Sequence, residues 1–368
     1  MAEWGGSTFL ELESIAERCT AGGHLSDGSA PAYENIPPRR FLEDYRMAGF
    51  KPRLPGEVMS IRTMIYAACL LSATCGPLMA EEATPFFTLH PLGAGVWAAI
   101  SPSKGKAGSN AGFVIGSDGV LVVDSFVDPA AAQALLDEIH AKTKLPVRYV
   151  VNTHYHLDHV AGNGVFKESG ALILAHANVR TWEHTENLKF FGDKITPQQK
   201  QLVETLVLPS LVYRDGVELF LGDRKIIVRV LAGHTGGDSV VVVPDADVVF
   251  TGDMFWNHSL PNLIDADTQA QIASNDTFLK AYPQASFVPG HGEVGKAAEV
   301  RAFRDYLATL RSAIAAAPGA NGSTAVVKAV LPELKAVYGG WNYFDYFAQH
   351  NIEQTADEMA GRKHVPVP

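Results

Sequence analysis

Three histidines and one aspartate fall within six consecutive positions, in the run His154-Tyr-His156-Leu-Asp158-His159. The apolar run Val147–Asn152 comes directly before it and predicts a strand, so these side chains lie where α/β proteins place functional loops. A loop, rather than a helix, lets residues spaced by two and by one converge on two neighbouring points. Imidazole and carboxylate together suit Zn²⁺ and also iron or manganese. The run therefore predicts a metal site, because a chance cluster of exposed histidines does not suit such apolar surroundings.

Four groups from one loop do not complete the coordination spheres of two metals, so more histidine or aspartate is expected at later strand ends. Three residues meet this expectation, each after an apolar run: His234, Asp253 and His291. Each has glycine close by, and glycine lets the backbone turn sharply and approach a metal closely. A single histidine near a turn is ordinarily solvated, but three such residues in the same setting indicate one shared site.

The chain has three cysteines, Cys19, Cys69 and Cys75, and none follows position 75. The rest of the chain therefore has no disulfide and no thiolate ligand, and a metal there must be held by histidine and carboxylate. The net charge is −10 without a long basic run, which excludes nucleic acid as a general partner. A small-molecule substrate is the expected partner, and the oligomeric state stays open.

Residues 1–58 are polar and rich in proline and glycine, and they are predicted to be a disordered extension or a segment that is not translated. Residues 59–80 contain Arg62, then an apolar stretch and a small residue, Ala80, before two glutamates. This pattern is typical of a signal peptide that starts at Met59, and it predicts a periplasmic or secreted protein without stable membrane insertion after cleavage. A buried N-terminal helix and a signal anchor are the alternatives.

From residue 86 onward, short β-type runs separated by glycine, serine and proline alternate with helical segments. The predicted strands are Val96–Ile100, Gly112–Ile115, Val120–Val123, Val147–Asn152, Ala171–Ala175, Lys225–Ala232, Ser239–Val243 and Val248–Thr251. The predicted helices are Pro129–Lys142, 177–190, 196–206, 268–280, 296–316, 324–337 and 343–359. Strands in two clusters, each accompanied by helices, predict two packed sheets with helices outside. We expect a catalytic domain over 86–316 and a C-terminal helical extension over 317–368.

Between residues 90 and 300 the sequence resembles the metallo-β-lactamase superfamily. The resemblance rests on five elements in order: Asp124 after a strand, the motif from His154 to His159, His234, Asp253 and His291. It implies an α/β fold, the four-layered αβ/βα sandwich, here with extra C-terminal helices. The site would lie at one edge of the packed sheets and hold two divalent metal ions, with Zn²⁺ favoured and iron or manganese as alternatives.

The resemblance also implies a role for each residue. His154, His156 and His234 would hold the first metal, Asp158, His159 and His291 would hold the second, and Asp253 would bridge them. Asp124 would support the metal loop by hydrogen bonding. A hydroxide between the metals would be the nucleophile, oriented by Asp158, and it would attack an ester, thioester, lactone or β-lactam carbonyl.

Other activities stay open within the same superfamily. Its β-lactamases usually carry cysteine or serine where Asp253 stands, which favours a glyoxalase-II-like dinuclear site over an authentic class-B-like β-lactamase. A mononuclear iron oxidoreductase of the persulfide dioxygenase type is the alternative from another class, and a non-catalytic metal-binding module is a further one. Retention of every residue expected at the second metal favours the dinuclear hydrolase.

The loop Phe255–Asp265 follows Asp253 directly, and it is expected to line the substrate pocket. Trp256, His258 and Asn262 are its candidate substrate contacts. The alternative is a structural loop that packs against the sheet edge.

Overall fold

The computed structural model describes residues 85–317 and 323–363. The predictions for residues 1–58 and 59–80 lie outside these residues. The strands are β1 (Thr88–Gly93), β2 (Val96–Ile100), β3 (Ala111–Ile115), β4 (Val120–Val123), β5 (Val147–Val151), β6 (Leu172–His176), β7 (Leu211–Tyr213), β8 (Gly216–Leu221), β9 (Arg224–Val230), β10 (Ser239–Val243), β11 (Val248–Trp256) and β12 (Ser286–His291). The helices are α1 (Pro129–Lys142), α2 (Leu157–Val160), α3 (Asn163–Glu168), α4 (Ala177–Phe191), α5 (Pro197–Glu204), α6 (Thr268–Ala281), α7 (Ala297–Ala316), α8 (Ser323–Tyr338) and α9 (Phe344–Met359).

The strands form two sheets. The seven-stranded sheet runs from β1 to β7 in order, antiparallel up to β4 and parallel from there on. The five-stranded sheet has the order β12-β11-β10-β9-β8, and its pairs are antiparallel except for β11 with β12. Because parallel neighbours end at the same edge, the segments that follow β4 and β5 meet at one edge of the first sheet.

The apolar strands divide their side chains between two cores. Leu121 and Val123 face the core between the two sheets, whereas Val120 and Val122 pack with α1 on the outer face. The strand Ser239–Val243 divides in the same way, with its outer face against α6 and the helices after it. Successive strand residues face opposite sides, so a run that is apolar at every position fits a strand covered on both faces. The layers are therefore helix, sheet, sheet and helix, and this confirms the predicted fold class.

The predicted helices are all present, with ends that differ by at most two residues. α1, for example, begins after Asp128, whose side chain accepts a hydrogen bond from Ala130 N, and it has Pro129 in its first turn. The prediction missed β1, β7 and β8, whose residues are largely half-buried or exposed. All three are edge strands of their sheets, and their sparse burial left too little apolar pattern to detect.

Two predictions about the site's backbone are wrong. The motif was expected to be a loop, but the helical turn α2 (Leu157–Val160) carries Asp158 and His159, with His156 as its extended N-cap residue. Asp253 was expected after a strand that ends at Thr251, but β11 continues to Trp256 and holds Asp253 in its interior. Irregular pairing with β12 at Gly252 explains the longer strand, because the ladder bulges there and then resumes.

The C-terminal helices pack onto the outer face of the five-stranded sheet. Leu334 of α8 and Ile352 of α9 are buried in the same apolar cluster as Phe303 of α7 and Phe287 of β12. In the described part of the chain, no helix is both long and apolar enough to cross a membrane.

Candidate metal centre

Seven polar side chains, which the sequence spreads over 138 positions from His154 to His291, meet at one edge of the two sheets. Their ligand atoms fall into two groups, and within each group these atoms lie within 4.8 Å of one another. The first group is His154, His156, His234 and Asp253, and the second is Asp158, His159 and His291. The structure thus brings together every residue that the sequence analysis assigned to a metal.

In the first group, three imidazoles surround one carboxylate oxygen. His234 Nε2 lies 3.1 Å from Asp253 Oδ2 and 3.0 Å from His156 Nδ1. His154 Nε2 lies 3.7 Å from the same Asp253 oxygen. The side chains of His154, His234 and Asp253 are at most 3% exposed, so this group is enclosed by protein.

In the second group, the other oxygen of Asp253 takes part. His159 Nε2 lies 3.2 Å from Asp253 Oδ1, and His291 Nε2 lies 3.5 Å from it. Asp158 Oδ2 lies 3.3 Å from His291 Nε2 and 3.6 Å from His159 Nε2. The Asp158 side chain is 30% exposed, which makes it the most accessible of the seven.

Asp253 reaches both groups because glycines clear the space around it. A Cβ atom on Gly290 would lie 1.8 Å from Asp253 Oδ1, so any side chain there would displace the carboxylate. Gly252 has φ +49, and a Cβ atom on it would lie 2.4 Å from Thr153 Oγ1. Only glycine combines that backbone conformation with so close an approach.

Two carboxylates outside the groups hold the rings in place. Asp124 accepts hydrogen bonds from Thr153 N and Thr153 Oγ1 at 2.7 and 2.8 Å, and its Oδ2 lies 2.9 Å from His159 Nδ1. Asp265 Oδ2 lies 3.0 Å from His156 Nε2. Each contact leaves the opposite ring nitrogen directed at its group, which is the usual arrangement around a metal-binding histidine.

The sequence analysis assigned a supporting role to Asp124 and overlooked Asp265. A signal was present, since Asp265 ends the loop Phe255–Asp265 that was expected to lie beside the site. The sequence analysis also overlooked a buried network of amide side chains next to the motif from His154 to His159. Asn152 and Asn163 exchange two hydrogen bonds of 3.0 Å, and Ser125 Oγ donates to Asn163 Oδ1.

The carboxylates of the site are ionised at neutral pH. Burial alone would raise the pKa of Asp253, but the His159 and His291 rings outweigh it and hold that pKa well below its usual range. The same opposition, with His159 as the main lowering influence, brings the pKa of Asp158 to about 2. Burial and the nearby His159 ring hold the pKa of His154 well below its usual value, which favours a neutral imidazole. Against the effect of burial, the same carboxylates raise the pKa of His159 well above its usual value and that of His291 to about 9, so a metal ion would have to displace these protons.

The donor set fits divalent metal ions on a further observation. Five buried atoms of the two groups have no hydrogen-bond partner among the described residues: His154 Nε2, His159 Nε2, His234 Nδ1, His291 Nε2 and Asp253 Oδ1. Buried polar atoms are rarely left in this state, because each costs about 1–3 kcal/mol. Three of the five are imidazole nitrogens that face the carboxylates of the site and a fourth is a carboxylate oxygen, and coordination to a metal would satisfy all four.

The structure gives the three proposed substrate contacts different surroundings. Trp256 is only 4% exposed and stacks on the His291 ring, with centroids 3.7 Å apart. His258 is exposed and lines a cavity that His291 also lines. Asn262 Oδ1 accepts a hydrogen bond from Ile264 N at 3.1 Å, which shapes the loop itself.

Comparisons with known proteins identify the family and the fold. The sequence profile described as the metallo-beta-lactamase superfamily matches residues 105–318. The chain is 29% identical over 222 residues to the Metallo-beta-lactamase type 2 of Bacillus cereus, covering 58% of this chain and 80% of that protein. It is 26% identical over 167 residues to the human Acyl-coenzyme A thioesterase MBLAC2, covering 41% of this chain and 60% of that protein. Its fold is similar to the crystal structure of VMB-1, with a TM-score of 0.51 and 22% identity, covering 62% of this chain and 99% of that one.

Proposed function

The chain belongs to the metallo-β-lactamase superfamily, and on that premise we propose that it is a dinuclear metal-dependent hydrolase of ester, thioester, lactone or β-lactam carbonyls. The geometry of Asp253 carries this proposal. Its Oδ2 lies 3.1 Å from His234 Nε2 in the first group, and its Oδ1 lies 3.2 Å from His159 Nε2 in the second. One carboxylate with its two oxygens turned to two imidazole groups suits two neighbouring cations, whose repulsion a shared negative charge reduces.

Histidine and carboxylate donors favour Zn²⁺, with iron or manganese as alternatives. His154, His156 and His234 would hold one ion, Asp158, His159 and His291 the other, and Asp253 both. Such ions polarise a carbonyl group and lower the pKa of water, which provides a nucleophile at neutral pH.

Asp158 is the residue best placed to handle protons. It is ionised, since its pKa is about 2, and at 30% exposure it is the most open of the seven side chains. It would accept a hydrogen bond from the attacking water and so direct the oxygen lone pair at the carbonyl carbon. Water adds to that carbon, the bond to the leaving oxygen, sulfur or nitrogen breaks, and the proton taken from water goes to the leaving group.

Asp253 also bears on the substrate class. The β-lactamases of this superfamily usually have cysteine or serine at its position, so the intact carboxylate favours ester-type or thioester substrates. An authentic β-lactamase is the second candidate, and the 29% identity with the Bacillus cereus enzyme supports it. A mononuclear iron oxidoreductase is less well supported, because Asp158, His159 and His291 are all in place as a second group.

One experiment separates these candidates. Metal content would be measured on protein purified without added metal and on zinc-loaded protein, and both would be assayed with thioesters, lactones and the β-lactam nitrocefin. We expect two zinc ions per chain, with hydrolysis of at least one ester or thioester class that exceeds hydrolysis of nitrocefin. One iron per chain with persulfide oxidation would contradict the proposal, and faster hydrolysis of nitrocefin would select the β-lactamase.

We also propose that the protein is exported and acts on a small molecule in the periplasm or outside the cell. The apolar segment that ends at Ala80 before two glutamates supports this. Mass spectrometry of protein from its native host is expected to find a mature chain that begins near Glu81. A cytoplasmic chain that retains residues 59–80 would contradict export.

A further inference from the structure

A polar cavity of about 190 Å³ lies beside the second group of the metal centre. His291 forms part of its wall, together with the loop 101–110 on one side and residues 257–259 on the other. Asn342 and Tyr343, from the turn between α8 and α9, close a further side. A substrate whose carbonyl lies at the metal centre would therefore extend into this cavity.

Three side chains of the cavity wall use their hydrogen-bond donors within the protein. The hydroxyls of Ser109 and Ser259 donate to the backbone carbonyls of Asp158 and Asn257, at 2.5 and 3.2 Å. Both N–H groups of the Asn110 amide likewise donate to backbone carbonyls, at 3.0 and 2.8 Å. The hydroxyl oxygens of Ser109 and Ser259 keep lone pairs, so these two side chains face a ligand as acceptors.

Asn257 adds an acceptor that lacks a partner. Its side chain is buried, and its Nδ2 donates to the Glu293 carbonyl at 2.8 Å. That hydrogen bond fixes the orientation of the amide, and Asn257 Oδ1 has no hydrogen-bond partner among the described residues. This oxygen is itself inaccessible, so it favours positive charge in the cavity through its partial negative charge rather than by accepting a hydrogen bond from a ligand.

The charge of the wall also favours a neutral or cationic ligand group over an anionic one. Glu293 is exposed and supplies a carboxylate, and none of the described residues that line the cavity is lysine or arginine. A ligand carboxylate or phosphate would meet lone pairs and a negative charge here. A hydroxyl, an amide N–H or an ammonium group would be complementary.

Residues of the C-terminal segment form part of this wall and are held there by hydrogen bonds. Asn342 N donates to the His258 carbonyl, and Leu260 N donates to the Asn342 carbonyl, both at 2.9 Å. Tyr343 Oη accepts a hydrogen bond from Lys104 N at 3.1 Å, which ties the loop 101–110 to the turn. Lys104, His258 and Tyr343 all have φ between +48 and +65, a strained conformation that clusters at functional sites.

We propose that this cavity is the substrate subsite for an uncharged or cationic hydrogen-bond-donating group, and that the turn at Asn342 and Tyr343 helps to set that selectivity. The inference rests on the proposed hydrolase function, since it assigns the part of the substrate next to the scissile bond. It also gives a role to a segment beyond the residues 105–318 that the superfamily profile matches.

The test uses zinc-loaded full-length protein and three acetyl thioesters that differ in the thiol. They are S-acetyl-N-acetylcysteamine with a neutral amide, S-(2-dimethylaminoethyl) thioacetate with a protonated amine whose N–H can donate, and S-acetyl-3-mercaptopropionate with an anion. A second series keeps one thiol and places the same three kinds of group on the acyl side, which covers the opposite orientation in the site. We expect kcat/KM for the neutral and cationic members to exceed that of the anionic member by about tenfold or more in at least one series.

Glu293→Lys is the diagnostic variant, with Glu168→Lys as its matched control. Glu168 is an exposed carboxylate at the end of α3, it does not line the cavity, and its substitution changes the net charge equally. Glu293→Lys is expected to lower the cationic-to-anionic ratio of kcat/KM by about tenfold or more. Asn342→Ala is expected to raise KM for the neutral member with little change in kcat. Zinc content, measured for each variant, should stay at the wild-type value.

Binding of the matching amides, in which N–H replaces sulfur, is measured by calorimetry as a readout that does not need turnover. If no thioester is hydrolysed but the amides bind in the expected order and Glu293→Lys changes that order, the subsite stands and the thioesterase activity does not. If thioesters are hydrolysed with equal kcat/KM whatever their charge, or if Glu168→Lys changes the ratio as much as Glu293→Lys, the subsite is overturned while the hydrolase stands.

Discussion

The two groups of the metal centre differ in how completely the protein encloses them. In the first group, the side chains of His154 and His234 are almost fully buried, and His156 is 14% exposed. In the second group, His159 is equally buried and His291 is 10% exposed, but Asp158 is 30% exposed and His291 lines the polar cavity. A closed set of imidazoles suits tight retention of an ion, whereas an open position suits the entry of water and substrate. The comparison predicts that the two groups respond differently when each is perturbed.

Asp253→Ala removes the one side chain that both groups share, so it has the largest expected effect. We expect metal content to fall, chiefly in the second group, and kcat to drop by several orders of magnitude, because the two ions lose the negative charge between them. Metal analysis and steady-state kinetics provide the measurement. Asp215→Ala, at an exposed aspartate, is the control. Two ions per chain and a normal rate in Asp253→Ala would remove the shared carboxylate from the mechanism.

Asp158→Asn tests the open group alone. The amide keeps the size of the side chain but loses the charge that binds a cation and orients water, so kcat should fall by about 10²–10⁴ even at saturating zinc. The first group should keep its ion, which a metal titration would show as one unaltered binding step. A rate that zinc restores to the wild-type value would mean that Asp158 acts only as a ligand.

Stepwise removal of metal tests the difference between the two groups without any substitution. A chelator of graded strength is expected to remove one ion first, from the open group, and activity should disappear with that step. The second ion should leave only under harsher treatment and with a larger drop in melting temperature, because an ion bound only to the folded state stabilises it. Zinc should restore activity. Loss of both ions in a single step would contradict a difference between the groups.

Asp265→Asn is expected to have a smaller effect, limited to the closed group. Asp265 lies 3.0 Å from His156 Nε2, and loss of its charge should weaken metal binding there by about ten- to hundredfold. A fluorescent chelator competition would measure the affinity, with the exposed Asp223→Asn as control. An equal loss at both binding steps would show that Asp265 supports the whole edge rather than the first group.

The residues that come together in the two groups could be predicted from sequence for a physical reason. Metal chemistry needs histidine and aspartate side chains, and these stand out where the neighbouring residues are apolar or glycine. His234, Asp253 and His291 were therefore recognisable, although His291 lies 132 positions after His159, the last residue of the first motif. The strand Val120–Val123 was equally recognisable, because burial on both faces leaves every position apolar.

The supporting residues were harder to predict because each depends on the fold for its role. Asp265 is one of many aspartates in the sequence, and only the path of the loop after β11 places it against His156. Trp256 was expected to contact substrate, and the structure stacks it on His291 beneath Tyr343 and Phe347 of the C-terminal segment. No local pattern records a contact between residues so distant in sequence.

The sequence by itself therefore determined which residue types the candidate metal centre contains and the layered α/β fold, since these follow from residue identity and from the period of the apolar runs. Only the tertiary structure decided that one carboxylate faces both groups and that a cavity lies beside the second group. It turned the two oxygens of Asp253 toward different groups, which requires the close approach of Gly290 on the neighbouring strand. It also carried Asn342 and Tyr343 to the wall of the polar cavity, through backbone hydrogen bonds to residues 258–260. Both features arise from long-range packing, which the order of residues along the chain does not show.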